Sequence, residues 1–355
     1  MKKNVLISTG GTGGHVVPAE VLRDHLKLEF NVYVSSDLRG LKYLNKEIKD
    51  TVLIDTPRLN LDFLIFFKFF KVVYLIFKSY SFLKKQNIVK VLSTGGYMSL
   101  PICISAKLLE LEIYLLEPNF VLGRANKFFL RFCKKIFSYT KKLKNFPKKY
   151  FYKIEIIPPL IRKEFYEKSQ LDIENEKFCF LVVGGSQGSM IFENTIKDVI
   201  IKLSKDHRIK IIQQTKQSNI ESLKKVYDNA KIENLIFNFK ETFFDLIKES
   251  DLCITRAGAT TLTEISMMNK PFLAIPLYSS KDNHQVENAT FYENLNCCWV
   301  MSQKNFGKTN LERFLKKMLT DKTEYFVKKN NLKKLNSQNT WNDVNQKLLD
   351  IINEN

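Results

Sequence analysis

Residues 252–288 read LCIT (252–255), RAGATTLTEISMM (256–268), NKPFLAIPLYSS (269–280) and KDNHQVEN (281–288), and this stretch decides the fold. Leu252 to Thr255 predict a short buried strand. Gly258 is expected to form a tight turn where a side chain would collide. Ala259, Thr260, Thr261, Leu262 and Thr263 then open a helix through Met268, with Glu264 in its first turn. Small and hydroxyl residues at a helix start leave backbone N–H groups facing whatever lies ahead. Those groups carry partial positive charge, so a phosphate is their natural guest. A carboxylate there would repel a diphosphate but can accept two hydroxyl hydrogen bonds from a ribose. The stretch therefore predicts a nucleotide cradle with its sugar end toward Asp282 to Asn288. The alternative is an ordinary strand–turn–helix whose threonines merely cap.

Length and composition frame this reading. At 355 residues, with 45% hydrophobic content, the chain suits two ordinary domains. Its formal charge of +19 comes mostly from lysine, 47 against nine arginines. Nucleic-acid readers lean on arginine for bidentate contacts, so no nucleic-acid partner is expected. Lysine suits a diffuse anionic surface. A genome-wide bias toward Lys, Asn, Ile and Phe would explain the total charge equally well. The six cysteines form no CxxC pair, which points to neither zinc nor a disulfide framework and fits a reducing compartment. The opening MKKNVLIS has too short an apolar run for a signal peptide. No stretch approaches the roughly 20 apolar residues that span a bilayer.

Both halves of the chain follow one plan. In the first, NVLIS (4–8) predicts a strand, TGGTGGH (9–15) a glycine loop, and a helix follows from about Pro18 to Leu28. Proline near a helix start fits its first-turn preference. The third position of a dinucleotide fingerprint counted from Gly11 holds Val16, so a dehydrogenase is disfavoured. His15 lies at the loop, whereas His25 sits mid-helix and reads as structural. Further strands are expected at 31–35, 52–54, 91–93, 112–116 and 154–157, with a second glycine loop, TGGY, at 94–97. In the second half, strands are expected at 178–183, 209–213, 235–239 and 252–255. GGSQGS (184–189) supplies another loop, where Ser186 and backbone N–H groups could meet phosphate oxygens. Alternating strands and helices in both halves predict an α/β chain of two doubly wound domains facing each other across a cleft.

One segment breaks the pattern. Leu61 to Lys85 is apolar almost all round, interrupted by Lys68, Lys71, Lys78 and Lys85. On a helix those lysines share an arc of roughly 100°. Phe66, Phe69, Phe70, Val73, Ile76, Phe77 and Tyr80 fall on the other side. A membrane-surface helix would place phenylalanines in the acyl boundary and lysines near lipid phosphates. A deeply buried helix is the alternative. A second basic cluster, Arg131 to Lys153, contains eight lysines and no acid up to its end.

The motifs GGTGGH, GGY, GGSQG, GATTLTE and DNHQxxNA occur in an order and spacing that resembles the MurG family. These bacterial glycosyltransferases add N-acetylglucosamine to the lipid-linked muramyl pentapeptide of peptidoglycan synthesis. The resemblance covers nearly the whole chain. It implies the GT-B fold, with an acceptor- and membrane-facing domain at 1–160, a UDP-sugar donor domain at 161–339, and a last helix at about 340–355 packed on the first. The implied partners are UDP-N-acetylglucosamine, the undecaprenyl-linked acceptor and the anionic cytoplasmic leaflet of the inner membrane. The implied transfer inverts the anomeric carbon. No protein metal site or cofactor is expected, and stimulation by a divalent ion stays open.

Residue by residue, the resemblance places Thr12, Gly13, Gly14, Asn119, Arg162, Ser186, Lys240, Ala259, Thr260, Thr261, Leu262, Thr263, Glu264, Gln285 and Asn288 on the donor, with Gln285 and Asn288 reading sugar hydroxyls. Tyr97 lines the acceptor side. His15 is the first candidate for general base, since an imidazole titrating near about pH 6.5 can take a hydroxyl proton. Glu117 is the second candidate, or orients His15; a structural role is its alternative. Three departures from the family pattern stand out: Pro118 between Glu117 and Asn119, Pro158–Pro159 before Arg162, and Lys240 near the expected uracil contact. A diacylglycerol sugar transferase, a UDP-sugar epimerase and a non-catalytic scaffold are the rival readings.

Overall fold

The computed structural model describes residues 2–45, 50–57, 63, 65–167, 176–184, 190–238, 240, 243–278, 283–337 and 340–354. The chain divides into two compact units, Met1–Arg162 with Thr340–Asn355, and Lys163–Asn339.

Among the described residues the first unit holds seven parallel strands. They are β1 (Lys3–Ser8), β2 (Phe30–Ser36), β3 (Thr51–Leu53), β4 (Ile88–Ser93), β5 (Glu112–Glu117), β6 (Lys135–Ser138) and β7 (Ile154–Ile156). Their order is β3-β2-β1-β4-β5-β6-β7. Helices α1 (Gly13–Leu26), α2 (Ile65–Lys85), α3 (Leu100–Leu108) and α4 (Arg124–Phe129) connect them. Parallel strands covered on both faces need unbroken apolar runs, which is why NVLIS and IYLLE read so clearly. Leu6, Val91, Leu115 and Ile136 of adjacent strands pack against Leu75 and Leu83 of α2 and Ile102 and Ala106 of α3. Strand order reverses between β1 and β4, so the loops leaving both strands open at one switch point.

Two expectations are corrected here. The first helix begins at Gly13, five residues before Pro18, which lies inside it. Pro18 has the φ a helix needs and only lacks the N–H that would reach back to Gly14. The strand β6 was hidden in the basic cluster. Its Ile136 and Phe137 are buried, while Lys135 pairs with Glu155 of β7 at 2.5 Å. Lys134 pairs with Glu112 of β5, and buried Lys153 donates to the carbonyls of Leu130 and Cys133. Three of the cluster's eight lysines therefore serve the fold, while Lys141, Lys142, Lys144, Lys148 and Lys149 are exposed.

The second unit repeats the plan with β8 (Phe178–Val183), β9 (Ile209–Gln214), β10 (Glu233–Phe237), β11 (Leu252–Thr255), β12 (Phe272–Ala274) and β13 (Trp299–Val300). These are parallel and ordered β10-β9-β8-β11-β12-β13 among the described residues. Its helices are α5 (Lys163–Glu167), α6 (Met190–Leu203), α7 (Ile220–Asn229), α8 (Phe243–Glu249), α9 (Ala259–Met267), α10 (His284–Asn294), α11 (Lys308–Thr320) and α12 (Thr323–Asn336). Phe180, Ile211, Ile254 and Leu273 of the sheet meet Ile196 and Ile200 of α6 and Leu311 and Leu315 of α11. Here the order reverses between β8 and β11, which places the start of α9 at the switch point.

The last helix, α13 (Trp341–Asn353), packs on α1 in the first unit, and Thr340 with Asp343 forms a capping box at its start. His25 stacks on Trp341 with ring centroids 3.8 Å apart, and its Nδ1 lies 3.2 Å from Asn345 Oδ1. Burial pushes this imidazole down to about 4, against weaker upward pulls from Asn345 and Asp24. The native state therefore holds His25 neutral while the unfolded chain takes up a proton first as pH falls. Its stabilising contribution is full at neutral pH and is lost between about pH 6.5 and 4, amounting to about 3 kcal/mol. Urea denaturation at pH 7 and 4.5 should show this fall, and His25→Phe should flatten it.

Candidate active site

In the first unit, strand pairing brings the two glycine loops together. Ser8 and Ser93 are register partners, the Thr94 amide donates to the Ser8 carbonyl at 3.0 Å, and the Thr9 and Thr94 hydroxyls lie 2.9 Å apart. Thr12 precedes α1 and is exposed, as is Gly14, so the first turn of the helix faces solvent. His15 stands in that turn with Nδ1 2.7 Å from the Thr94 carbonyl. A carbonyl only accepts, so Nδ1 carries a proton, and in the neutral ring Nε2 is the acceptor. Gly96 has φ 81°, and a Cβ there would lie 2.3 Å from the Met98 sulfur and 3.8 Å from His15 Nε2. Glycine thus meets the backbone demand and leaves room beside the lone pair. Tyr97 follows at once, half-buried, with its hydroxyl on the Arg39 guanidinium.

Glu117 is corrected. Its carboxylate is buried and accepts four hydrogen bonds, from the Asn119 amide (3.3 Å) and side chain (3.0 Å), the Gly123 amide (2.8 Å) and Asn126 Nδ2 (3.0 Å). A carboxylate so occupied anchors the turn from β5 to α4 and has no position left to take a substrate proton. It does not orient His15 either, since Thr94 does. Asn119 is turned toward Glu117 rather than outward. Arg162 closes the first unit; burial raises the Glu20 carboxyl of α1, partly offset by the Asn45 amide and the Arg162 charge.

In the second unit, Gly258 caps α9 with φ −70°, and a Cβ there would meet only Thr261 Oγ1, at 3.9 Å. Among the described residues no collision requires glycine there, contrary to expectation. The first helical bond runs from the Leu262 amide to the Gly258 carbonyl at 3.0 Å. The amides of Ala259, Thr260 and Thr261 precede it. Leu262 and Thr263 drop out as ligand contacts. The Leu262 side chain is fully buried, and the Thr263 hydroxyl donates to the Ala259 carbonyl at 2.9 Å. Glu264 lies in the second turn, not the first, and is buried. Asn288 is also corrected: it is fully buried and donates to the Ala257 carbonyl at 3.0 Å, bracing the turn before α9. Gln285 is half-buried and accepts from the Leu277 amide at 2.9 Å. Lys240 is exposed. Ser186, with residues 185–189, and Asp282 lie outside the described residues.

Arg256 was missed. Its guanidinium is buried beneath the turn, 4.7 Å from the Phe192 ring and bonded to the Ile275 carbonyl at 3.0 Å. An arginine between an apolar strand and a glycine turn was the available signal. A cavity of about 500 Å³ beside β13, lined by Trp299, Asn305 and Lys328 among others, contains none of these residues.

The helix α2 resolves its two readings in favour of exposure. Val72, Leu75, Ser79 and Leu83 form its buried face. Phe66, Phe67, Phe70, Tyr74 and Phe77 form an opposite stripe, with Phe66, Phe70 and Phe77 74, 68 and 70% exposed. Lys71 and Lys78 flank the stripe, tied to Asp55 (3.2 Å) and the Leu53 carbonyl (3.1 Å). Lys68 is half-buried. Among the described residues no helix is long and apolar enough to cross a membrane.

Comparison with known proteins adds the following. The glycosyltransferase family 28 N-terminal domain matches residues 5–138 and the family 28 C-terminal domain matches residues 179–344. A UDP-N-acetylglucosamine–N-acetylmuramyl-(pentapeptide) pyrophosphoryl-undecaprenol N-acetylglucosamine transferase of Pelagibacter ubique is 46% identical, over 100% of both chains. The protein of the same name from Rickettsia bellii is 32% identical, over 88% of this chain and 89% of that one. The crystal structure of Acinetobacter baumannii MurG superposes with a TM-score of 0.78 at 21% identity, over 99% of both chains. UDP-GlcNAc 2-epimerase from Neisseria meningitidis does so at 0.68 and 12% identity, over 99% of this chain and 100% of that one.

Proposed function

The chain belongs to glycosyltransferase family 28 and, within it, to the MurG transferases, and from that membership we propose its reaction. It moves N-acetylglucosamine from UDP-N-acetylglucosamine to the C4 hydroxyl of undecaprenyl-pyrophosphoryl N-acetylmuramyl pentapeptide. The observation that carries this reading is the full-length agreement with a transferase of that name. The exposed aromatic stripe on α2 favours it over an epimerase, which needs no lipid-linked acceptor.

In this reading the acceptor oxygen attacks the anomeric carbon as its proton passes to His15 Nε2. The bond from that carbon to the UDP oxygen breaks in the same displacement, so the configuration inverts. The leaving diphosphate gains charge that the amides of Ala259, Thr260 and Thr261 can meet. One helix end contributes roughly 0.3–2 kcal/mol, so further donors are required, with Ser186 and the Thr12–Gly14 loop as candidates. Glu264 is assigned to the ribose and Gln285 to the sugar. Asn288 and Arg256 act indirectly, by holding the turn that presents α9. The stripe of α2 rests on the anionic cytoplasmic leaflet, where the acceptor's lipid is anchored.

Purified chain given UDP-N-acetylglucosamine should release UDP only when the lipid-linked acceptor is added. Acceptor-independent conversion of the sugar nucleotide would instead favour an epimerase.

A further inference from the structure

A short cluster centred on Asp37 and Arg39 ties the two glycine loops of the first unit together. Asp37, buried just beyond β2, accepts at Oδ1 from the amides of Gly11 (2.7 Å) and Gly40 (2.8 Å). Its Oδ2 accepts from Arg39 Nε (3.2 Å) and Nη2 (2.9 Å). The same Nη2 meets the Tyr97 hydroxyl, and the guanidinium carbon stands 5.3 Å from the centre of the Tyr97 ring. A Cβ on Gly40 would lie 2.5 Å from Gly10 Cα and 2.3 Å from Ser36 Oγ, so the Arg39–Gly40 turn presses directly on the first loop. The Asp37 carboxyl is held below the usual range: burial opposes this, and the two amides and Arg39 outweigh it. An ionised carboxylate shared with two backbone donors fixes the arginine more than it neutralises it. The outer edge remains: the Arg39 side chain is 38% exposed, and its Nη1 makes no hydrogen bond among the described residues.

The turn that carries this guanidinium has neighbours in two other parts of the first unit. On one side, the Leu38 amide reaches Asp55 Oδ1 at 3.5 Å, and Asp55 pairs with Lys71 of α2, beside the aromatic stripe. On the other side come Tyr97, Gly96 and the Nε2 of His15. A chain of neighbours within the first unit thus links the helix that bears the stripe, the fixed cation and the base. A lipid-linked sugar presents an apolar tail, a pyrophosphate and a hydroxyl in that same sequence. We infer that Arg39 holds the acceptor's pyrophosphate through its outer edge while Nη2 positions the Tyr97 phenol. A planar guanidinium clamped by a buried carboxylate suits phosphate oxygens better than a mobile lysine. This inference rests on the proposed transferase reaction.

The test is steady-state kinetics of the full chain with each substrate varied in turn. Arg39→Ala should raise KM for the lipid-linked acceptor roughly 10- to 100-fold, the worth of a charged hydrogen bond, with donor KM within about two-fold. Inorganic pyrophosphate, competitive with acceptor in the unaltered chain, should lose its inhibition by a similar factor. Arg39→Lys, which keeps the charge without the fork, should fall between, and it carries the test if the alanine variant does not fold. An unchanged acceptor KM in a folded variant overturns the inference. So does an equal rise in both KM values with a fallen kcat, which would mean only a disturbed loop. Failure of the unaltered chain to turn over at all would instead remove the transferase reading itself.

Discussion

Replacing His15 with alanine should lower kcat by about 10²- to 10⁴-fold and leave the folding transition and donor KM nearly unchanged. The size follows from what is removed. The Thr94 carbonyl holds Nδ1–H at 2.7 Å, which leaves Nε2 as the acceptor beside Gly96. Glu117 cannot take over, because it already accepts four hydrogen bonds. The fold should tolerate the change, since His15 is half-buried at the edge of a helix and outside the apolar core. Glu117→Gln separates the two roles: it should destabilise the chain, by leaving donors around it mismatched, more than it slows turnover per folded molecule. A His15→Ala variant with near-normal kcat would shift proton removal to the substrate or solvent.

The second large effect is at the membrane. Phe66, Phe70 and Phe77 are each about two-thirds or more exposed, so changing all three to serine removes little that the fold uses. Full burial of such a ring is worth about 1.5–3 kcal/mol, and partial insertion roughly 1 kcal/mol. Three rings inserted part-way contribute about 3 kcal/mol, so the triple variant should bind anionic vesicles about 100-fold more weakly. Added salt should weaken the unaltered chain only in part, because it screens Lys71 and Lys78 but not apolar insertion. Vesicle co-sedimentation with an unchanged thermal transition is the check. Equal binding by both proteins would show that α2 is not the docking face.

Much of this was legible in the residues. Central parallel strands announce themselves as apolar runs, and glycine loops after β1, β4 and β8 mark where strand order turns. What escaped had physical reasons. Strand β6 opens on Lys135, with Lys134 just before it, and their acidic partners, Glu155 and Glu112, come from neighbouring strands and cannot be seen locally. The start of α1 was misplaced because Gly-Gly-His is a poor helix former, and tertiary placement overrides that propensity. Thr263, Asn288 and Glu117 have side chains suited to ligands, and only the three-dimensional partners reveal that each is spent inside the fold. Arg39 was passed over because its meaning depends on Asp37, Gly11 and Tyr97 converging from three separate segments. The outward face of α2 was legible in part: Phe66, Phe69, Phe70 and Phe77 are exposed as expected, while Val73, Ile76 and Tyr80 are half-buried.

The most direct test is a crystal structure of the chain soaked with uridine diphosphate. The diphosphate should lie within hydrogen-bonding distance of the Ala259, Thr260 and Thr261 amides, with the ribose hydroxyls on Glu264. A well-ordered nucleotide bound away from Gly258 and Glu264 would contradict the account.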